Sequence, residues 1–255
     1  MKRDRNCSGR MILKNGFVVD PANGIESVKD IVVEGDLIHE VCDSAAAETG
    51  DYIIDCSGLE IWPGLIDMHL HVSDLFEIHT NTAYGAAEDG VTTALSPGAG
   101  NTFMAPALLG AEMDRGLPIN VGVFLGAANI LGTRLNENEL IELFAGTLGQ
   151  AEKEKKLSHN NIVNSTAQYA IGIKEHMGHF LLPDEKMEQL FTITDKANLM
   201  FTSHTQDIEH TLHLCDMAQG RNIHMGHANA VGCGTHGEAV WSMRQMVDLC
   251  RRKEV

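Results

Sequence analysis

Apolar and polar positions change rhythm once along this chain, near Pro63, and the two rhythms predict two kinds of structure. From Met11 to Cys56 the apolar runs are of strand length and are broken by turn residues: Met11-Ile12-Leu13-Lys14, the turn Asn15-Gly16, then Phe17-Val18-Val19. Asp20-Pro21-Ala22-Asn23-Gly24 is a second turn cluster. Residues 30–34 and 37–41, joined at Gly35-Asp36, form a predicted hairpin, and residues 52–55 another strand. So few strands bury little alone, so residues 11–60 are expected to form a small β-sandwich-like domain, with residues 1–10 a frayed tail.

Beyond Pro63 strand and helix alternate. Strands are expected to begin near Leu65, Val91, Pro118, Tyr169, Leu199 and Asn222, with helices over residues 79–89, 103–115, 136–156, 184–197, 209–219 and from 237 to the end. Pro183-Asp184 at one entry and Gly116 or Gly220 at an exit mark helix boundaries. Such alternation predicts parallel strands covered by helices, in a (β/α) barrel or an open doubly wound sheet.

The first of these strands carries the chain's most informative stretch. Ile61, Trp62, Leu65, Ile66, Met68, Leu70 and Val72 make a nearly unbroken apolar run, as expected where both faces of a strand are covered. His69 and His71 are set into it two apart, so on a strand they share a face, and Asp67 has the same parity. Two convergent imidazoles form half of a metal site, and burying both without a partner is costly.

The later strand candidates also end in ionisable residues: Lys174 after Ala170-Ile171-Gly172-Ile173, His204 after Leu199-Met200-Phe201-Thr202-Ser203, and His227 after Asn222-Ile223-His224-Met225-Gly226. In an α/β barrel the C-terminal strand ends converge on one rim, so four histidines and a lysine would surround a common point. For a single lysine at a strand end, snorkelling is the ordinary explanation. Beside four rim histidines a metal ligand explains it better: burial and nearby cations depress the amine's pKa, and neutral amine reacts with carbon dioxide to give a carbamate able to bridge two metals. Glu175 has the opposite parity and is the weaker bridge candidate.

Composition removes other function classes. A net charge of -16 repels nucleic-acid phosphates, and no stretch approaches the ~20 apolar residues of a membrane span. No signal-peptide core follows the charged N-terminus, and the six cysteines are scattered without a C-x-x-C, which fits reduced thiols in the cytoplasm.

The chain resembles the amidohydrolase superfamily of metal-dependent hydrolases, in particular its dihydroorotase, hydantoinase and deacetylase-like branch. Residues 12–16 with 20–24 resemble the strands of that family's small β-domain, Pro63-Gly64-Leu65-Ile66-Asp67-Met68-His69-Leu70-His71 its first barrel strand, and Gly172-Ile173-Lys174 its fourth. The resemblance implies a (β/α)8 TIM-barrel type fold, here incomplete at six units over residues 61–255, beside the small N-terminal sheet. It also implies two divalent metal ions, expected to be Zn²⁺: His69 and His71 on the more buried ion, a carbamate on Lys174 as bridge, and His204 and His227 on the second ion. The implied reaction is hydrolysis of an amide or cyclic amide C–N bond of a small molecule by a metal-bridging hydroxide. The family's eighth-strand aspartate, its proton shuttle, has no counterpart before Val255, so the catalytic acid is unassigned. The chain is therefore also expected to be a fragment, a catalytically incomplete metal-binding scaffold, or one half of a split enzyme whose exposed edges take a second copy or a complementing C-terminal partner. An open doubly wound protein with incidental histidines is the remaining rival.

Other polar residues are weighed more lightly. His176 lies just beyond Lys174 with the same parity, and His224 is expected to face the barrel exterior. His210 and His213 share a helix face. Thr205-Gln206-Asp207, Ala228-Asn229-Ala230, Cys233 and the loop Gly98-Ala99-Gly100 sit where a ligand could be met.

Overall fold

The computed structural model describes residues 9–72, 80–98, 100–176, 182–205, 207–226 and 238–252. The chain divides into two compact units, Met1–Gly64 and Leu65–Val255.

In the first unit β1 (Met11–Asp20) and β2 (Ile25–Glu34) pair antiparallel through the Asp20–Gly24 turn, and β3 (Leu37–Cys42) pairs antiparallel with β2. β4 (Tyr52–Asp55) and β5 (Glu60–Ile61) both run parallel to β1. Asn15-Gly16 is not the expected turn but a bulge inside β1, where the register with β2 shifts between Leu13 and Gly16. Asn15 takes a φ of 60°, and its amide donates to the buried Asp30 carboxylate at 2.8 Å. A side chain at Gly16 would run into Ile61, so glycine is needed for close approach.

The second unit is a curled parallel half-barrel of six strands, in the order β11 (His224–Gly226), β10 (Met200–His204), β9 (Gly172–His176), β8 (Asn120–Gly126), β7 (Val91–Ser96) and β6 (Leu65–Asp67). Between the strands lie α1 (Thr80–Glu88), α2 (Ala105–Arg115), α3 (Ala127–Leu131), α4 (Glu137–Phe144), α5 (Gln150–Lys156), α6 (Asn161–Thr166), α7 (Asp184–Ala197) and α8 (Ile208–Ala218), and α9 (Ala239–Arg252) follows β11. The single helix expected over 136–156 is thus two. α4 starts on a capping box between Asn136 and Glu139, and the chain then breaks where Gly146 adopts a φ of 74°.

Strand register sorts the side chains into two faces. Leu125, Ile173 and Phe201 lie side by side on the convex face and pack with Leu190 and Phe191 of α7 in the main hydrophobic core. The concave face carries Gly126, Lys174, Thr202 and His224 in one row and His176, His204 and Gly226 in the next, toward the C-terminal ends of the strands. The first strand is less buried than its apolar run implies: Leu65 and Ile66 are 55% and 62% exposed. Among the described residues β6 pairs only with β7, and β11 only with β10, so each leaves an edge open.

Candidate metal centre

The His-x-His pair sits just past the end of β6 rather than within it. Asp67, the last strand residue, accepts a hydrogen bond from the His69 amide at 2.9 Å, which fixes the turn. The backbone is then tied back to β7: the Leu70 amide donates to the Leu95 carbonyl at 3.0 Å, and the Val72 amide to the Ser96 hydroxyl at 3.2 Å. Held this way, Nε2 of His69 and Nε2 of His71 lie 3.3 Å apart. Two nitrogens bound to one tetrahedral Zn²⁺ at 2.0–2.1 Å are separated by about 3.3 Å, so the spacing fits a shared ion.

Lys174 is fully buried on the concave face, and its Nζ has no hydrogen-bond partner among the described residues. Burial brings its pKa down to about 8, against an upward pull from Glu175. Glu175 itself points the other way, toward the helix layer, and accepts a hydrogen bond from the Ser203 hydroxyl. Burial pushes its carboxyl up to about 7, opposed by Ser203 and Lys174.

His204 closes β10 on the concave face, in register with His176 and Gly226. His224 corrects the expectation of an outward side chain. It lies in register with Thr202, whose hydroxyl is 3.0 Å from His224 Nδ1, and its ring is 6.5 Å from that of His69. Burial, and secondarily the charge of Lys174, lower its pKa. Strand parity counted back from His227 gives the outward reading, whereas the register of His224 with Thr202 puts it on the concave face. A side chain at Gly226 would meet Nδ1 of His69 at 3.0 Å, so this glycine makes room for the first imidazole.

The half-barrel thus brings His69, Lys174 and His204 to one face, with His71 paired to His69. His227, the remaining predicted ligand, lies outside the described residues, as do Gln206, Ala228-Asn229-Ala230, Cys233 and Ala99. Among the described residues no three His, Cys, Asp or Glu side chains converge closely enough to hold a metal by themselves. The lesser candidates have structural work. Thr205 accepts from Thr211, Asp207 caps α8, and His213 pairs with Asp184 at 2.9 Å. Gly100 packs against Gly126, where a Cβ would come within 2.7 Å of backbone.

The fold is a parallel strand-helix half-barrel with imidazoles and a buried lysine at the C-terminal strand ends, the rim on which barrels of this class carry their sites. The amidohydrolase family model matches residues 61–246, and the chain belongs to that family. It is 27% identical over 240 residues to a dihydroorotase of Geobacter sp. (strain M21), covering 87% of this chain and 56% of that one. With a dihydroorotase of Trichlorobacter lovleyi it shares 30% identity over 173 residues, 64% of this chain and 40% of the relative. The chain therefore spans about half the length of the curated relatives it matches. Among solved structures, the L-hydantoinase of Arthrobacter aurescens aligns at a TM-score of 0.53 with 17% identity, over 95% of this chain and 51% of that one. The N-acyl-D-glutamate deacylase of Bordetella bronchiseptica, solved with zinc and a phosphonate inhibitor, aligns at 0.59 with 16% identity, over 84% and 50%. Among the described residues no helix is long and apolar enough to cross a membrane.

Proposed function

We propose that this chain is the scaffold of a metal-dependent amidohydrolase that cleaves an amide or cyclic amide C–N bond of a small molecule. The observation that carries the proposal is the 3.3 Å spacing of the His69 and His71 nitrogens on a family barrel that also buries Lys174. His69 and His71 would hold one divalent ion, and His204 and His227 a second. Imidazole-rich sites suit zinc. Bound ions would supply an activated water and draw charge from the substrate carbonyl.

Lys174 joins the two halves of the site. With its pKa near 8, an appreciable neutral fraction exists around neutrality. That neutral amine would add to carbon dioxide and lose a proton, leaving an anionic carbamate that would offer oxygen donors to the ions held by the histidines. A carbamate would also put an anion in place of a buried cation, which would relieve the repulsion a protonated lysine imposes on bound ions. The free thiols of Cys42 and Cys56 fit a cytoplasmic setting.

A second reading draws on the open edges of β6 and β11 and the exposed Leu65 and Ile66. On it, the 255-residue chain binds metal but needs further strands, from a complementing polypeptide or a second copy, to turn over substrate. One experiment separates the two. The purified chain is loaded with zinc, its metal content is measured, and anomalous diffraction at the zinc edge locates the ions. It is then offered a dihydroorotate, a hydantoin and an N-acyl-D-amino acid. Two ions with turnover support the first reading, metal without turnover supports the second, and substoichiometric metal unaffected by His204→Ala overturns both.

A further inference from the structure

We propose that His176 is a positioning residue for His204, holding its imidazole in a fixed plane at the rim of the half-barrel. The inference rests on the metal-binding reading above and adds a residue to it. His176 and His204 are the last residues of β9 and β10 and face each other in register. Both lie on the concave face, one step beyond Lys174 and Thr202 toward the strand ends. Their rings stack, with centroids 4.9 Å apart and planes inclined by 29°.

The stacking follows from the fold. Neighbouring strands lie about 4.8 Å apart, so two rings in register at parallel strand ends meet face to face at that spacing. The consequence concerns His204. The outer torsion of a histidine is broad, so the ring of a metal ligand must be held by something outside itself. His176 is exposed and His204 half-buried, and the stacked His176 ring covers one face of the His204 ring. Phe191 and Phe201 form the equivalent aromatic pair in the core, but at a T-shaped 62°. The near-parallel histidine pair instead leaves the edges of His204, which carry its nitrogens, clear of the stacked face.

A positioning role and a direct nitrogen donor make different demands on residue 176: the first needs a flat ring, the second a lone pair. The full chain is stripped of metal and titrated with Co²⁺, following the visible ligand-field band and the affinity of each ion. Wild type taking up no Co²⁺ would overturn the metal-binding reading itself and this inference with it. With wild type binding two ions, His176→Ala is expected to weaken the second ion about tenfold and alter its band, leaving the first ion unchanged. His176→Phe, which keeps the ring and discards the nitrogens, is expected to restore most of that affinity. Binding by His176→Ala indistinguishable from wild type would overturn the inference. Failure of His176→Phe to do better than alanine would overturn it in favour of a nitrogen donor. His176→Gln, polar but ringless, substitutes for the alanine variant should the latter melt early, and is expected to behave like it.

Discussion

Gly226 on β11 abuts the imidazole of His69 across the half-barrel: a Cβ there would sit 3.0 Å from Nδ1 and 3.1 Å from Cε1 of that ring, and 3.2 Å from the Ser203 carbonyl. The backbone at this glycine does not need a positive φ, so the requirement is for space alone.

Gly226→Ala is therefore expected to displace the His69 ring by a few tenths of an ångström and spoil the 3.3 Å spacing to His71. The cost to folding should be that of mild overpacking, about 1–2 kcal/mol. The cost to metal should be larger, about tenfold in affinity for the ion on the His69–His71 pair. Competition with a chromophoric chelator measures the second, and a thermal melt of the metal-free protein the first. Unchanged zinc affinity would show that His69 is not held against β11.

Much of the second unit was legible because its physics is local. Buried parallel strands read as apolar runs bounded by glycine or proline, so the expected starts at Leu65, Val91 and Leu199 fall within one residue of those observed. Asp184–Ala197 coincides with its helix because Pro183 precedes it and Asn198 ends it at a φ of 52°. What the sequence hid depends on partners distant along the chain. Asn15-Gly16 has a hairpin's turn chemistry, but Asp30 and Ile61 use it as a bulge. The exposure of Leu65 and Ile66 depends on which strands flank β6, not on their own hydrophobicity. His176 and His224 needed the register with β10, which no spacing along one strand supplies.

Lys174 should be a liability without metal. Its folded pKa of about 8 lies below its ordinary 10.5, so the folded chain binds fewer protons than the unfolded one between these values. Metal-free stability should then rise with pH across that window. Lys174→Met, of similar volume, should abolish the rise and stabilise the metal-free protein at pH 7 by about 1–3 kcal/mol, while losing metal if Lys174 serves as the proposed bridge. Denaturant melts at pH 7 and 10 with zinc analysis test this. A methionine variant that melts below wild type at pH 7 would contradict it.

Arg10 and Asp51 clamp the first unit where β1 and β4 begin. The Arg10 guanidinium reaches Asp51 Oδ2 at 2.8 Å, the Arg10 amide donates to Oδ1 at 3.2 Å, and the Tyr52 amide donates to the Arg10 carbonyl at 2.8 Å. The guanidinium and the Glu48 amide hold the Asp51 carboxyl down to about 2, from an ordinary 3.8. A depressed carboxyl contributes stability above its unfolded pKa and loses it as pH falls through the folded one. Protection of the Tyr52 amide from hydrogen exchange should therefore persist to about pH 4 and fall toward pH 2. Arg10→Ala should bring the loss to higher pH, and the same profile in wild type and variant would refute the clamp.

Glu175 and Ser203 form the buried polar pair behind the concave face, and its pH dependence runs opposite to that of Asp51. The Glu175 carboxyl titrates near 7 in the folded chain and near 4.5 otherwise, because burial outweighs the Ser203 hydroxyl and the Lys174 charge. A raised carboxyl binds its proton more tightly when folded, so its contribution is full below about pH 4.5 and is lost as pH rises through 7. Glu175→Gln keeps an acceptor for Ser203 and cannot ionise. It should remove this fall in stability between pH 4.5 and 7 and raise the melting point at pH 8, an effect of about 1–3 kcal/mol. Ser203→Ala should do the reverse, since it takes away the hydroxyl that favours the charged form and leaves Glu175 harder to ionise. Melts of the two variants over pH 4.5 to 8 distinguish a carboxyl kept neutral by its surroundings from one that is ionised throughout. Parallel profiles for wild type and Glu175→Gln would mean that the helix layer already accommodates the charge.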